Sequence, residues 1–463
     1  MATLAQRFKE RANAPFGYKT VLKVGLPLIA GMASATIMQF TDRLFLSRYS
    51  IEAISAALPA GVTAMVLQLA LVGLCGYVSV FIAQYTGAAR TGEVGAVLWQ
   101  GIWLALGGAL LLILSCFLAE PIFTWAGHEP AVLEQEVAYF QILNAGGGFF
   151  LLNAVLSGFF VGRGVTRPVL LANLAGAVLN IPLDYALIFG AFGFPEMGIR
   201  GAAIATVLGS VFTCAIFAAL IFRRKNESRF GVFRGWRVQK DLFLRLLRFG
   251  GPSGFNLFME TVAFAWFILE MGTLGITAQA ASNIALSVNN VIFMPMLGLN
   301  TAIAALVGQA MGRKRPDEAQ QVTSSSLHIS FMYMLPLSLL CIIFAGPLMD
   351  LFRPENAGED FLPVRTMGMI LIYYVAVYSL LDSFNIVYFG ALKGAGDTLF
   401  IMLLLGGAAL FLLVAPVLIL KHLGLASVHT LWWVLTAYIM ILAVAVRARF
   451  RGSKWRNIRM IDN

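Results

Sequence analysis

Charge is scarce in this sequence. Asp, Glu, Lys and Arg together make up 12% of its 463 residues, about half of what a water-soluble domain carries. No connection between its apolar runs is long enough to fold as a soluble domain of its own. Histidine is rarer still, with His128, His328, His422 and His429 as the whole complement. The four cysteines, Cys75, Cys116, Cys214 and Cys341, fall inside apolar stretches far apart in the chain. They have neither metal-ligand nor disulfide spacing, which leaves packing as their expected role. Enzyme signatures are missing too: there is no HExxH and no nucleophile elbow. LKGAGDT at 392–398 lacks the GK[ST] ending with which a P-loop holds phosphate and magnesium. An enzyme is therefore not expected.

What is present is apolar: 59% of the residues are hydrophobic. Twelve stretches of about 20 residues or more can each cross a hydrocarbon core of roughly 30 Å. They run near 20–46, 55–86, 94–118, 133–161, 167–191, 198–222, 246–273, 279–311, 318–345, 363–391, 397–420 and 426–448. An all-α polytopic membrane protein follows, with lipid as its solvent. The first nineteen residues are polar and lack the early apolar core of a cleaved signal peptide, so the first helix is expected to be retained. The net charge of +10 sorts by side rather than marking a nucleic-acid partner. If the N-terminus is cytoplasmic, every Lys and Arg except Arg43, Arg48, Arg200, Arg353, Arg365 and Lys421 falls on the cytoplasmic side. Both termini are then cytoplasmic, as in a multi-pass inner-membrane protein of a bacterium. The opposite loops are acidic, with Glu120, Glu129, Glu134 and Glu136 in one and Asp350, Glu355, Glu359 and Asp360 in another.

The chain repeats itself. Displacing it by 225 positions lays Gly25 on Gly250, Pro27 on Pro252, Gly73 on Gly298, Gln84 on Gln309, Gly87 on Gly312 and Glu93 on Glu318. Further on, a displacement of 232 lays Asn153 on Asn385, Gly162 on Gly394, Gly164 on Gly396 and Thr166 on Thr398. Each repeat holds six helices, an even number, so the two halves enter the membrane from the same side as a parallel repeat. The division expected is an N-lobe at 1–222, a basic linker at 223–244 lying as a partly amphipathic cytoplasmic segment, and a C-lobe at 245–463. Most of the 45 glycines are expected at close helix contacts.

A charge at bilayer depth costs about 2.5–3.5 kcal/mol on insertion scales, so each one that persists is a functional candidate. Asp42 lies in the outer part of the first helix. Asn180 and Asp184 are four apart on one face of the fifth, and Thr206 is in the outer part of the sixth. Counting about 1.5 Å per residue from the helix ends puts Asp42, Asp184 and Thr206 roughly 7–12 Å deep, where they can share a site. Carboxylate, amide and hydroxyl oxygens suit a hard cation such as sodium, and the carboxylates could equally hold a proton. The alternative for Asp42 is a snorkelling ion pair with Arg43. In the second half Glu260 lies near the middle of the seventh helix, with Tyr378 and Asp382 four apart on the tenth at comparable depth. The two acidic sets do not coincide on the repeat, since Asp42 aligns with Phe267 and Asp382 with Phe150. Glu270 is expected at the membrane interface. Phe149, Phe150, Phe159, Phe160 and Phe331, with Met294 and Met296, are expected mainly in packing, and the lone His328 in hydrogen bonding.

Several stretches together resemble the multidrug and toxic compound extrusion (MATE) transporters over nearly the whole chain. They are GLPLIAGMASATIMQFTDRLFLS at 25–47, NLAGAVLNIPLDYALIFG at 173–190, GIRGAAIAT at 198–206, NLFMETVAFA at 256–265 and the paired loops GRGVTRP and LKGAGDT. The resemblance implies two six-helix bundles around a central cavity and antiport of cationic or amphipathic small molecules against sodium or protons. No cofactor beyond the coupling ion, no nucleic acid and no obligate protein partner are implied. Asp42, Asn180, Asp184 and Thr206 match the family's N-lobe cation-site positions, with Asn153 nearby. Sodium, if it is the ion, would sit at Asp42, Asn180 and Asp184. Glu260, Tyr378 and Asp382 match the C-lobe acidic positions of the NorM-like branch. A lipid or lipid-linked oligosaccharide flippase shares the broad fold, but is expected to need a strongly basic cavity that these helices lack.

Overall fold

The structure, a computed structural model, describes residues 14, 16–126, 129–353 and 361–461. His128, Glu355, Glu359, Asp360 and the basic residues Arg7, Lys9 and Arg11 lie outside the described residues. Among the described residues twelve helices are long and apolar enough to cross a membrane. They are α1 Tyr18–Tyr49, α2 Ile51–Gly87, α3 Thr91–Trp125, α4 Val132–Val161, α5 Arg167–Phe189, α6 Gly198–Ile221, α7 Lys240–Gly272, α8 Ile276–Gly312, α9 Pro316–Ile343, α10 Leu362–Ala395, α11 Thr398–His422 and α12 Val428–Arg451. Several are longer than the apolar runs that announce them, because a helix keeps its backbone bonds after it has left the hydrocarbon. The chain is a multi-pass membrane protein.

Local chemistry sets the ends. Ser50 caps α2 by accepting the Ala53 N–H at 3.0 Å, and Ser427 opens α12 with a capping box involving Thr430. Gly164 and Gly396, aligned by the repeat, both take left-handed backbone, with φ of 72° and 95°. A residue with a Cβ would be strained there, which is why GRGVTRP and LKGAGDT share that glycine.

The chain divides into two compact units. A C-half unit takes the chain up to Gly25, then Met259–Val307 and Arg315–Arg459. An N-half unit takes Leu26–Phe258, Gly308–Lys314 and the end of the chain from Met460. The division thus falls inside α1 and inside α7. In the C-half unit Gly25 rests on Leu299 and Ala302 of α8; in the N-half unit its repeat equivalent Gly250 rests on Leu74 and Tyr77 of α2.

Within the N-half unit the last turns of α2 and α8 cross almost at backbone contact. A Cβ on Gly87 would stand 2.0 Å from the Gln309 carbonyl oxygen, and one on Gly312 would stand 2.0 Å from that of Gln84. The Gly and Gln coincidences of the repeat are therefore the two sides of one crossing. The linker is ordered by α3: Trp99 donates its indole N–H to the Val232 carbonyl at 2.7 Å and Trp103 to that of Trp236 at 2.9 Å. Gln100 donates to the Arg237 carbonyl and accepts from the Gln239 N–H. Arg163 lies between the rings of Phe159 and Phe230, 4.2 and 4.5 Å from their centroids, and burial together with Arg229 pushes its guanidinium down to about 10. All four cysteines are free thiols, and Cys75, Cys214 and Cys341 are buried.

Candidate functional site

Two polar clusters lie at membrane depth, one in each unit. In the N-half unit α5 and α6 approach closely because Gly176 and Gly209 face each other's helix. A Cβ on Gly176 would stand 2.1 Å from Thr213 Oγ1, and one on Gly209 would stand 3.2 Å from the Asn180 Cβ. That approach seals Asn180 and Asp184 off completely, both at 0% exposure, and Asp42 of α1 is 7% exposed. The carboxyls of Asp42 and Asp184 face each other, with the Asn180 amide beside Asp184. The Thr206 hydroxyl of α6 donates to Asp42 Oδ2 over a long 3.4 Å. Pro182, between the two polar residues of α5, has no N–H and so frees the carbonyl one turn earlier.

The hydrogen bonding of the cluster is incomplete. Asp42 Oδ1, both carboxyl oxygens of Asp184 and both ends of the Asn180 amide are buried without a hydrogen-bond partner. Two buried carboxylates cannot satisfy each other, because neither donates. Leaving such groups unpaired costs at least about 1–3 kcal/mol each. Convergent oxygens whose hydrogen bonding is incomplete suit a hard cation, and a proton placed between the two carboxyls answers the same shortage.

Arg43 is exposed and acts on Asp42 electrostatically, and among the described residues it makes no direct ion pair. Asn153 stands apart: its Nδ2 donates to the Ser210 carbonyl at 3.2 Å and hydroxyl at 3.1 Å, and Cys214 lies 3.0 Å from its Oδ1. A residue that the sequence did not mark is Tyr139 of α4, 9% exposed and within electrostatic reach of both Asp42 and Asp184. Nothing in an aromatic residue on an apolar helix signals which way its hydroxyl turns.

In the C-half unit Glu260 of α7 and Asp382 of α10 are half-buried and interact electrostatically. Tyr378, one turn before Asp382, is 2% exposed and its hydroxyl has no partner. Tyr438 of α12, unmarked in the sequence, stands within electrostatic reach of both acids. Asn385 donates to Asp382 Oδ1 at 3.0 Å. Glu270 is bonded to Lys421, tying the ends of α7 and α11. His328 shares a 2.9 Å hydrogen bond with Tyr18. Phe159 and Phe160 are core residues packed on each other and around Arg163.

Comparison with known proteins bears on what such a pair of clusters is for. The MatE family model matches the chain twice, over residues 27–186 and 252–419. The chain belongs to the MatE family. The two MatE matches begin 225 residues apart, the displacement at which the sequence repeats. Curated relatives include a probable multidrug resistance protein NorM of Thermotoga maritima, 28% identical over 402 residues and covering 86% of this chain and 84% of its own. Another, from Brucella suis biovar 1, is 28% identical over 439 residues and covers 93% of this chain and 92% of its own. Among solved structures, an outward-facing multidrug resistance MATE family transporter of the MOP superfamily superposes with a TM-score of 0.85 at 21% identity. It covers 98% of this chain and 99% of its own. A MOP superfamily transporter from Pyrococcus furiosus, titled for the reverse polarity of its binding pocket, gives 0.85 at 22% identity over 96% of both chains. At such identities the structural likeness concerns the fold. Membership of MatE makes the chain a membrane transport protein and not an enzyme.

Proposed function

We propose that the chain is a secondary active antiporter of a bacterial inner membrane, with both termini cytoplasmic. It exports cationic or amphipathic small organic molecules in exchange for sodium or protons. The observation that carries this reading is the buried acidic pair Asp42 and Asp184 with Asn180, whose oxygens lie inside membrane-spanning helices with incomplete hydrogen bonding, as a site for a cation that comes and goes requires. Glu260, Tyr378 and Asp382 supply a second acidic site, for cation coupling or for pairing with a cationic substrate. The names of the NorM relatives support multidrug cargo. The coupling runs through competition: a cation entering from outside neutralises the acids, favours the state that releases substrate, and leaves on the cytoplasmic side. A potential of 100 mV adds about 2.3 kcal/mol per charge moved, roughly a 50-fold gradient.

The test is ethidium efflux from vesicles under imposed sodium or pH gradients, for the wild type, Asp184→Asn and Glu260→Gln. Efflux driven by one gradient and lost in both variants is the expected result. Movement of dye without a gradient, or undiminished efflux in both variants, would sink the antiport reading.

A further inference from the structure

Asn385 is 3% exposed and sits on the face of α10 that carries Tyr378 and Asp382. Its Nδ2 donates twice, to Asp382 Oδ1 at 3.0 Å on its own helix and to the Ile439 carbonyl at 3.2 Å on α12. Both partners are acceptors only, so the amide orientation is forced: turned over, its oxygen would face a carboxylate and a carbonyl. Its Oδ1 is left buried without a donor, a cost that only the two Nδ2 bonds offset.

The repeat shows which part of this is scaffold. Asn153, the equivalent of Asn385, makes the same kind of bond to a backbone carbonyl of the equivalent helix, from α4 to Ser210 of α6. There the second partner is the Ser210 hydroxyl, a neutral group. The helix-to-helix bond is thus common to both halves, and the bond to a carboxylate belongs to the C-half alone. The Asp382 bond is charge-assisted and strong while the carboxyl is free, and weakens when a cation or proton neutralises it. The Ile439 carbonyl follows directly on Tyr438, whose ring stands by Glu260 and Asp382.

We infer that Asn385 is a positioning residue that stabilises the charged form of Asp382 and passes its state of charge to α12 through the Ile439 carbonyl. The inference rests on the reading of Glu260 and Asp382 as a coupling site, and deepens it. Removing the donor destabilises free Asp382 more than neutralised Asp382. The driving cation then binds more tightly and leaves more slowly.

The experiment measures gradient-driven efflux against driving-cation concentration, with deuterium exchange of the α12 amides beside it, in the full-length protein in liposomes. For Asn385→Ala we expect the half-saturating cation concentration to fall about three- to tenfold, with a lower maximal rate. The cation-dependent change in exchange near Ile439, present in the wild type, should disappear. Asn385→Ser, which keeps one short donor and is the milder packing change, should move both readouts in the same direction. In an Asp382→Asn background the Asn385 substitution should add nothing to the cation dependence of efflux or of α12 exchange, whereas a packing role would add in full. A lower maximal rate with unchanged half-saturation and unchanged α12 response overturns the inference while leaving the coupling site standing. An Asp382→Asn protein with wild-type cation dependence overturns both.

Discussion

If Asp42 and Asp184 are short of donors because a cation supplies the missing partner, an amide in place of one carboxyl should make the protein more stable and less able to transport. In Asp184→Asn the side-chain volume is nearly unchanged, one buried ionisable carboxyl is gone, and an N–H is offered to the Asp42 carboxyl, whose Oδ1 has no hydrogen-bond partner in the wild type. A hydrogen bond to a charged group contributes about 1.5–3 kcal/mol. Scaling from domains of 150–250 residues, this raises the unfolding midpoint on the order of 5 °C. The assay is thermal unfolding of purified protein in detergent, with and without the driving cation, beside efflux in vesicles. The wild type should approach the stability of the variant as the cation is added, because a ligand at 100 times its dissociation constant contributes about 2.7 kcal/mol. The variant should not respond. Sodium and acid can be tried separately, and the one that closes the gap names the ion. A variant less stable than the ion-free wild type would refute the reasoning, since Asp184 would then already be satisfied by structure.

Gly312→Ala places a methyl where a backbone carbonyl stands, so α2 and α8 must part; we expect about 1–3 kcal/mol of destabilisation and loss of monodisperse protein by size-exclusion. Gly407→Ala, with nothing within 4 Å of its Cβ, should be neutral in the same assay. Trp99→Phe removes the indole bond to Val232, about 1 kcal/mol, and should speed tryptic cleavage between Arg223 and Arg237 without altering the transmembrane fragments. Arg365 grips Asp350 with two bonds of 2.6 and 2.9 Å and holds its carboxyl below the ordinary carboxylate range. The stabilisation from this pair is complete above the ordinary pKa and is lost as pH falls through the lower folded value. Arg365→Gln should therefore lower the unfolding midpoint slightly at pH 7, and by less as the pH falls below the ordinary carboxylate range.

The membrane architecture was legible because lipid leaves few choices: a run of twenty apolar residues becomes a helix whatever surrounds it. The helix ends were less so. The sequence runs suggest 20–46 and 363–391 where α1 reaches Tyr49 and α10 reaches Ala395, because Arg48 and Lys393 interrupt hydrophobicity without interrupting backbone bonds. Asp42, Asn180 and Asp184 stood out as polar residues with no excuse at that depth. Asn153, which entered through the repeat and the family resemblance, spends its amide on α6, since depth can be counted along the chain whereas the rotation of one helix against another is set by packing. Tyr139 and Tyr438 gave no signal, for a phenol on an apolar helix looks like any other aromatic residue. The folding of the basic linker onto α3 was equally hidden, since nothing in the sequence ties the Trp99 and Trp103 N–H groups to the Val232 and Trp236 carbonyls.

What the two halves share and where they differ separates scaffold from chemistry. They share the Gly87 and Gly312 crossing, the left-handed Gly164 and Gly396, and an Asn that bonds a backbone carbonyl across helices. Each is a requirement of backbone geometry, which a duplicated fold must meet twice. The acids are not shared. The N-half gathers three helices around a sealed acidic pair, whereas the C-half leaves Glu260 and Asp382 half-buried, with Asn385 donating to Asp382. In the N-half cluster most carboxyl oxygens have no hydrogen-bond partner, whereas in the C-half cluster Asn385 bonds one oxygen of Asp382. The same fold, used twice, therefore holds two acidic clusters that differ in how far their hydrogen bonding is met, and under the antiport proposed above that difference would let one ion displace a different cargo.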